Sequence, residues 1–325
     1  MQQQNTEINS KNTKILISCH KPCELPPNKD GLFLPIHVGA AVSDVDLKMQ
    51  RDDEVLGQPC DNISAKHKHY SEITAYYWAW KNIKRLYPDL EYIGFCHYRR
   101  YFNFAKKGAF WHQESRNIPA RRLKDAEPLI DLKEPIRGCD VILPVSVPMP
   151  IPKSRNMNFL NNGLDDRIFE AVILRLHPNY KDDLIRICYK TFELPFRNMF
   201  VMKWDLFERY AEWLFGIIFE AEKIIKFAPY EGDTRWFGYN SEVLLSLFCL
   251  HNKVSVKRRQ FLFVDEAKSP SVLKSLYGYV LTRLRFTFNT FSLHGVQLVS
   301  ESKRWQGMFK SRGVWDQIEQ IKPVD

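Results

Sequence analysis

GQPCDNISAKHKHYSEITAYYWAWKNIKRLYPDLEYIGFCHYRRYF, residues Gly57 to Phe102, reads as a polar loop, a long aromatic helix, a stop at Pro88 and a short buried strand. Ser64 is the natural N-cap of the helix, which is expected from about Ala65 to just before Pro88. Ile73, Tyr76, Tyr77, Trp80, Ile83 and Tyr87 follow its 3.6-residue period. The strand, expected over Tyr92 to Cys96, runs directly into His97-Tyr98-Arg99-Arg100. An apolar strand that ends in charged groups is how an open α/β sheet builds a ligand crevice at its carboxyl edge. Two arginines there suit a diphosphate, because guanidinium forks match phosphate oxygens in geometry and charge. The alternative is a surface pair anchoring a loop by salt bridges; the aromatic residues on both sides favour a site.

Outward from this tract, strands alternate with helices. Lys14 to Ser18 is a compact strand, followed by the turn-rich loop CHKPCELPPNKDG. Leu34 to Val42 reads as a second strand, with Gly39 letting another backbone approach. Strands follow at Cys139 to Val147, at Asn198 to Met202, and once or twice within Val254 to Val264. Helices are expected at about Asp165 to Leu176, Asp205 to Phe227 and Asn240 to His251. The apolar seam through Leu206, Phe207, Tyr210, Trp213, Leu214, Ile217 and Ile218 is core packing. Asn103 to Gly138 is long, basic and irregular, a candidate lid or acceptor-binding insertion, and Pro148 to Gly163 reads as a mobile loop. The alternation predicts an α/β fold with helices on both faces of a sheet; periodicity does not separate the doubly wound folds from one another.

A series of ordered motifs carries a more specific signal. They are CHKP (Cys19 to Pro22), LPIHVGAA (Leu34 to Ala41), DNIS (Asp61 to Ser64), SEITAYYWAWKN (Ser71 to Asn82), YIGFCHYRRYF (Tyr92 to Phe102), RNMFVM (Arg197 to Met202), YAEWLF (Tyr210 to Phe215) and RWFGYNSEVLL (Arg235 to Leu245). Together they resemble a bacterial capsule- and O-antigen-locus family catalogued as domain of unknown function 4422. That family is associated with glycosyltransferases, some of them galactofuranosyltransferases. The resemblance implies a GT-A-like fold, with a single Rossmann-type nucleotide-sugar-binding domain. It implies a UDP-sugar donor carrying galactose in furanose or pyranose form, and a growing or lipid-linked polysaccharide as acceptor. It is more specific for the family than for the sugar moved.

The chain has 325 residues, 45% of them hydrophobic and 14% aromatic, which supports a sizeable core and excludes a disordered protein. The polar start MQQQNTEINSKNTK has no apolar core of a signal peptide, and no apolar run approaches 18 residues. Seven cysteines without regular spacing point to reduced thiols and a cytoplasmic protein. Cys19, Cys23 and His20 lack the second cysteine pair of a zinc site. The net charge of +9 is concentrated late in the chain, where residues 267–312 hold eight Lys/Arg against Glu301 alone. Mixed with Tyr277, Tyr279, Phe286, Phe288, Phe291, Trp305, Phe309 and Trp315, these cations suit peripheral contact with an anionic membrane face. The alternative is a solvated basic face on a packed helical subdomain. The expected organisation is a flexible leader over 1–12, a transferase domain over 13–266 and a basic aromatic extension over 267–325.

Glycosyl transfer needs a clamp for the nucleotide, charge compensation on the departing diphosphate and a base for the acceptor hydroxyl. Many enzymes of the implied fold compensate the charge with a divalent metal held by a DxD motif at the end of the fourth strand. The corresponding strand here ends in Cys96-His97-Tyr98-Arg99-Arg100. The expectation is therefore that no metal or other cofactor is used, with Mn or Mg the alternative. Arg99 or Arg100 would hold the diphosphate, with His97 or Tyr98 assisting; a satisfied core histidine is the other reading of His97. Asp165-Asp166 is better explained as complementing a helix N-terminus than as a metal pair. His20 and Lys21 follow the first strand, where the nucleotide is seated. Asp61, Asn62 and Ser64 offer groups for base and ribose recognition, and Glu72 is placed to face the crevice. Glu242 is the expected base, with Asp233 its competitor, and Arg235 would reach a phosphate or the acceptor. One positioned base and no evident nucleophile favour inversion. A nucleic-acid-binding protein, raised by a pI near 9.1, lacks any zinc finger, RNP motif or clear helix-turn-helix. A non-catalytic partner in polysaccharide assembly would keep the fold without the chemistry.

Overall fold

In the computed structural model the described residues are 7–105, 114–132, 135–150, 152, 163–225, 235–267, 269, 271–291, 298 and 302–324. Asp233, most of the loop from Pro148 to Gly163, Phe227, Lys268 and the side chains of Asp165 and Asp166 lie outside them. The main sheet is built from β1 (Thr13–Cys19), β2 (Phe33–His37), β3 (Gln50–Arg51), β4 (Tyr92–His97), β5 (Val141–Pro144), β6 (Phe200–Lys203) and β7 (Val256–Arg259). Their spatial order is β3-β2-β1-β4-β6-β5-β7. All neighbours run parallel except β6, which is antiparallel to both β4 and β5.

Two features of this sheet position everything that follows. The order reverses direction at β1 and β4, so their carboxyl ends open a crevice between diverging connections. The antiparallel β6 begins at that same edge, which brings the residues just ahead of it, Arg197 and Asn198, beside the end of β4. Packing at the centre is tight. A Cβ on Gly94 of β4 would meet Val201 Cγ2 at 2.8 Å, and Ile15 Cγ1 and the Phe200 carbonyl at 3.0 Å.

Alternation along the strands divides the core in two. Leu16, Ile93, Phe95, Phe200 and Met202 face a helical layer made of α1 (Ile73–Asn82), α2 (Gly163–Leu176), α3 (Trp204–Ile224) and α4 (Trp236–His251). Ile15, Ile17, Tyr92, Cys96 and Val201 face the other way. Among the described residues that second face is covered by short strands at Arg100–Phe102, Ser115–Ile118 and Phe261–Val264 and by helical turns at Ala120–Ala126 and Glu127–Ile130, instead of the second helical layer expected. The described part of the 103–138 segment is thus packed, with Ile118, Leu123, Ile130 and Ile136 buried. Ile8, in the expected leader, is also buried and exchanges backbone hydrogen bonds of 3.1 Å with Ile136.

Several element boundaries move. The second strand ends at His37, because Gly39 turns the chain in the left-handed region at φ 72°. The long aromatic helix is broken into turns at Ser64–Lys66, His67–Tyr70 and Ile83–Arg85 around α1, and Ser71 interrupts it at φ 53°. Ser64 is inside the first turn and caps nothing. The fourth long helix starts at Trp236, four residues ahead of the expected start.

After β7 come α5 (Val272–Phe291), α6 (Lys303–Ser311) and α7 (Val314–Glu319). The last two belong to the helical core: Phe309, Ile318 and Ile321 are buried in it. Arg175 donates to the Ile321 carbonyl at 3.1 Å and the Glu319 carbonyl at 2.6 Å, and the Val324 amide donates to Leu176 at 2.9 Å.

Candidate active site

At the carboxyl edge of β1 and β4 lies a cleft of about 450 Å³. Ser18 and His20 reach it from β1, Val38 from the turn after β2, and His97, Tyr98, Arg99 and Arg100 from the end of β4. Ser71 and Glu72 come from the broken helix, Arg197 from the approach to β6, and Arg235, Tyr239 and Glu242 from the start of α4. Of the residues expected at a site, the fold brings together His20, Glu72, His97, Tyr98, Arg99, Arg100, Arg235 and Glu242.

The other four are placed elsewhere. Lys21 lies just outside, its Nζ 5.6 Å from the centre of the Tyr98 ring. Asp61, Asn62 and Ser64 do not line the cleft, and their polar atoms are used by the protein. Asp61 accepts from the Tyr77 hydroxyl at 3.1 Å, and Asn62 closes a turn through the Cys60 carbonyl and the Ser64 amide. The Ser64 hydroxyl donates to Asp52 and accepts from the Ala41 amide at 3.0 Å. Asp52, itself fully buried, also accepts from the amides of Gly39 at 2.9 Å and Ala40 at 3.0 Å. Ser64 with Asp52 therefore fastens the turn after β2, while Asp61 and Asn62 are engaged by Tyr77 and by their own loop, outside the cleft where a ligand role was expected.

That turn matters because of what packs on it. A Cβ at Gly39 would meet the His67 ring at 2.6 Å, so the close approach expected there is by a side chain and not by backbone. His67 Nδ1 donates to the Ser71 carbonyl at 3.0 Å, leaving Nε2 as the acceptor. The chain can then turn at Ser71 and begin again as α1, with Glu72 at its N-cap position. Glu72 is fixed by the amide of Asn198, which donates to its Oε1 at 2.6 Å. Asn198 is buried and fully used: it also donates to Gly238 O at 2.7 Å, and accepts from the Ser241 hydroxyl at 3.0 Å and, at its carbonyl, from Tyr76 at 2.6 Å. One asparagine thereby locks α1, α4 and the entrance to β6 around the cleft.

The electrostatics are cationic. The guanidinium groups of Arg99 and Arg100 make no hydrogen bond or ion pair among the described residues; their central carbons lie 5.8 and 5.3 Å from the Phe263 ring centre, and that of Arg99 lies 5.2 Å from the Tyr98 ring centre. Burial, then the neighbouring Arg197 and Arg99, push the Arg100 pKa below its ordinary value, while Glu72 and Glu242 act to raise it. Arg197 is held by Glu114 in a two-pronged contact of 3.0 and 3.1 Å. Burial raises the Glu114 carboxyl, with Arg197 opposing. His97 donates from Nε2 to the Arg197 carbonyl, so its Nδ1 is the acceptor. Burial is the main reason that the pKa values of His20, His67 and His97 are all lowered, which makes the three imidazoles neutral at pH 7. His20 meets Tyr98 edge to face at 5.2 Å.

Glu242 is seven residues into α4 and half-buried, so it is not a helix-start carboxylate. Trp236 and Phe237 turn into the core, toward Phe169 and Tyr70, leaving Tyr239 as the aromatic beside Glu242 in the cleft. Arg197, Ser71 and His67 were not expected at a site. Their signal is faint: Arg197 opens the motif RNMFVM but precedes a strand whose reversed direction no local pattern encodes. Among the described residues no group of three or more metal-ligating side chains lies together.

A family described as Domain of unknown function (DUF4422) matches residues 14–253, which include every residue lining the cleft. The chain belongs to that family. Among solved structures it is similar to one titled WbbM bifunctional glycosyltransferase, apo structure, at 28% identity and a TM-score of 0.66. That similarity covers 78% of this chain and 46% of the other, so this chain corresponds to about half of it. No curated protein matches. The mixed α/β fold with its mostly parallel sheet is shared with that glycosyltransferase structure.

Proposed function

We propose that this chain is a glycosyltransferase of GT-A type that moves a hexosyl group from a UDP-sugar to a growing or lipid-linked polysaccharide at the membrane surface. The observation that carries this reading is the cleft in which Arg99 and Arg100, unpaired by protein among the described residues, face two carboxylates at the carboxyl edge of β1 and β4. A departing diphosphate needs positive charge that strengthens as the bond breaks, and fixed guanidinium groups in a partly dry cleft supply it. His20 and Lys21 flank the nucleotide end. Glu72, held by Asn198, is positioned to accept hydrogen bonds from sugar hydroxyls.

The chemistry is an in-line displacement. An acceptor hydroxyl attacks the anomeric carbon, its proton passes to Glu242, and the carbon–oxygen bond to the diphosphate breaks with the electron pair leaving on UDP. One base and one leaving group give inversion. Galactose, in furanose or pyranose form, is the sugar that the family resemblance favours.

Incubation with a panel of UDP-sugars and an undecaprenyl-type glycan acceptor, with released UDP as the readout, tests the reading. Release with one sugar, dependent on acceptor, supports it; no release with any, beside normal folding, favours a non-catalytic assembly partner. The arginine-for-metal assignment has its own test in excess EDTA, where turnover should stay within a few-fold. Complete loss restored by Mn or Mg would overturn that assignment.

A further inference from the structure

Helix α5 presents an aligned apolar stripe to solvent. Leu273, Tyr277, Val280, Leu284 and Phe288 are 78%, 67%, 47%, 56% and 82% exposed. At 3.6 residues per turn they fall within about 80° of arc. Spacings of four, three, four and four residues keep them aligned along a helix of 20 residues, about 30 Å long. The opposite side of the helix is fastened to the protein. Phe286 is buried, and both its ring and that of Tyr279 stand edge-on to Phe192 at 5.3 and 5.5 Å. Arg283 lies over the same ring at 4.7 Å, and Asn289 donates to the Pro150 carbonyl at 2.9 Å. The stripe is thus held outward by a packed underside.

Charge identifies the occupant. Residues 267–300 contain Lys268, Lys274, Arg283 and Arg285 and no acid. On the helix, Lys274 and Arg285 border one side of the stripe and Arg283 the other. A second copy of the chain packed stripe to stripe would bring like charges together along both borders. An anionic lipid surface takes both features at once, the apolar side chains below the headgroups and the cations among them. No described helix is long and apolar enough to cross a membrane, so contact of this kind is in the plane of the surface.

We infer that α5 is a surface-lying membrane anchor for anionic bilayers, and that α6, although equally basic and aromatic in sequence, and the acidic α7 are not part of it. The inference complements the transfer reading and does not need it, since lipid binding and UDP release are measured separately.

The test is co-sedimentation of the full chain with vesicles of phosphatidylglycerol and phosphatidylcholine, at low and high salt, beside vesicles of phosphatidylcholine alone. Binding should require the anionic lipid and weaken with salt. The double variant Leu273→Glu/Phe288→Glu should lower the apparent affinity at least tenfold; both positions are largely exposed, so an unchanged thermal midpoint checks that the fold survives. Lys274→Gln/Arg285→Gln should reduce binding and its salt dependence together. Unchanged binding in the first variant overturns the inference. So does a native dimer, seen by light scattering, that binds no vesicles and becomes monomeric in that variant, because the stripe is then a subunit interface.

Discussion

At the scale of single residues, the cleft separates groups that hold the fold from groups that are available to a ligand. Asp52, Ser64 and Asn198 direct their side-chain hydrogen bonds to the protein, whereas the guanidinium groups of Arg99 and Arg100 meet aromatic rings among the described residues and no hydrogen-bond partner. Arg100→Ala removes a guanidinium whose contact tightens as charge develops on the leaving group, so kcat should fall on the order of 10²–10³. Arg100→Lys should recover little of it, because an ammonium cannot reproduce the planar fork. Steady-state release of UDP measures both, and full activity in Arg99→Ala and Arg100→Ala alike would make the pair structural. The arginines were legible in sequence because they end an apolar strand. DNIS was misleading for an equally physical reason: Asp, Asn and Ser serve turns and ligands with the same atoms.

At the scale of elements, two departures from local pattern create the site. No Pro or Gly stands near Ser71 to stop the expected helix, yet the chain breaks there, since the turn depends on His67 below and Gly238 beside it. A Cβ at Gly238 would meet Ser71 Cβ at 3.1 Å, so α4 is seated directly against the break. Likewise the apolar run that forms β6 was legible, but its antiparallel direction was not, because direction is set by pairing with β4 and β5. Arg197 was therefore out of reach of sequence reasoning, while the residues that follow β1 and β4 were within it. Asn198→Ala tests whether these elements act through one joint. It removes the donor to Glu72 and one of the two side-chain donors to the Gly238 carbonyl, which the Ser241 hydroxyl still reaches at 2.7 Å, so stability should fall by only about 0.5–1.5 kcal/mol. If Asn198 positions Glu72, kcat/KM should fall in step with that of Glu72→Gln, and the double variant should lose little more than either alone. Additive losses would mean that Asn198 supports the fold without orienting Glu72.

At the scale of the whole molecule, the basic, aromatic C-terminal stretch behaves as two different things. α6 and α7 bury Phe309, Ile318 and Ile321 in the helical core, and burial of each such side chain contributes about 1.5–3 kcal/mol. A chain ended near Glu266 should consequently be recovered as insoluble or strongly destabilised protein, unlike substitutions on the exposed stripe of α5; a soluble truncation with an unchanged thermal midpoint would contradict that division. Composition could not reveal it, because a tryptophan in a basic helix reads the same whether it meets lipid or core. The histidines give the molecule a second global property. His20, His37, His67, His97 and His177 all have pKa values below the ordinary 6.5, in each case chiefly through burial. Below that pH the unfolded chain binds protons that the folded chain refuses, so stability is present above about 6.5 and lost as pH falls beneath it. Glu114, raised by burial, works in the opposite sense. The urea midpoint should thus drop between pH 7.5 and pH 5.5. His37 isolates the cause, since neither ring nitrogen has a hydrogen-bond partner among the described residues, and its near neighbours Asp52 and Arg51 pull its pKa in opposite directions. His37→Leu should make the profile shallower over that interval, whatever it does to stability at pH 7.5. A wild-type midpoint that is flat from pH 7.5 to 5.5 would show that the buried imidazoles open to solvent before the fold is lost.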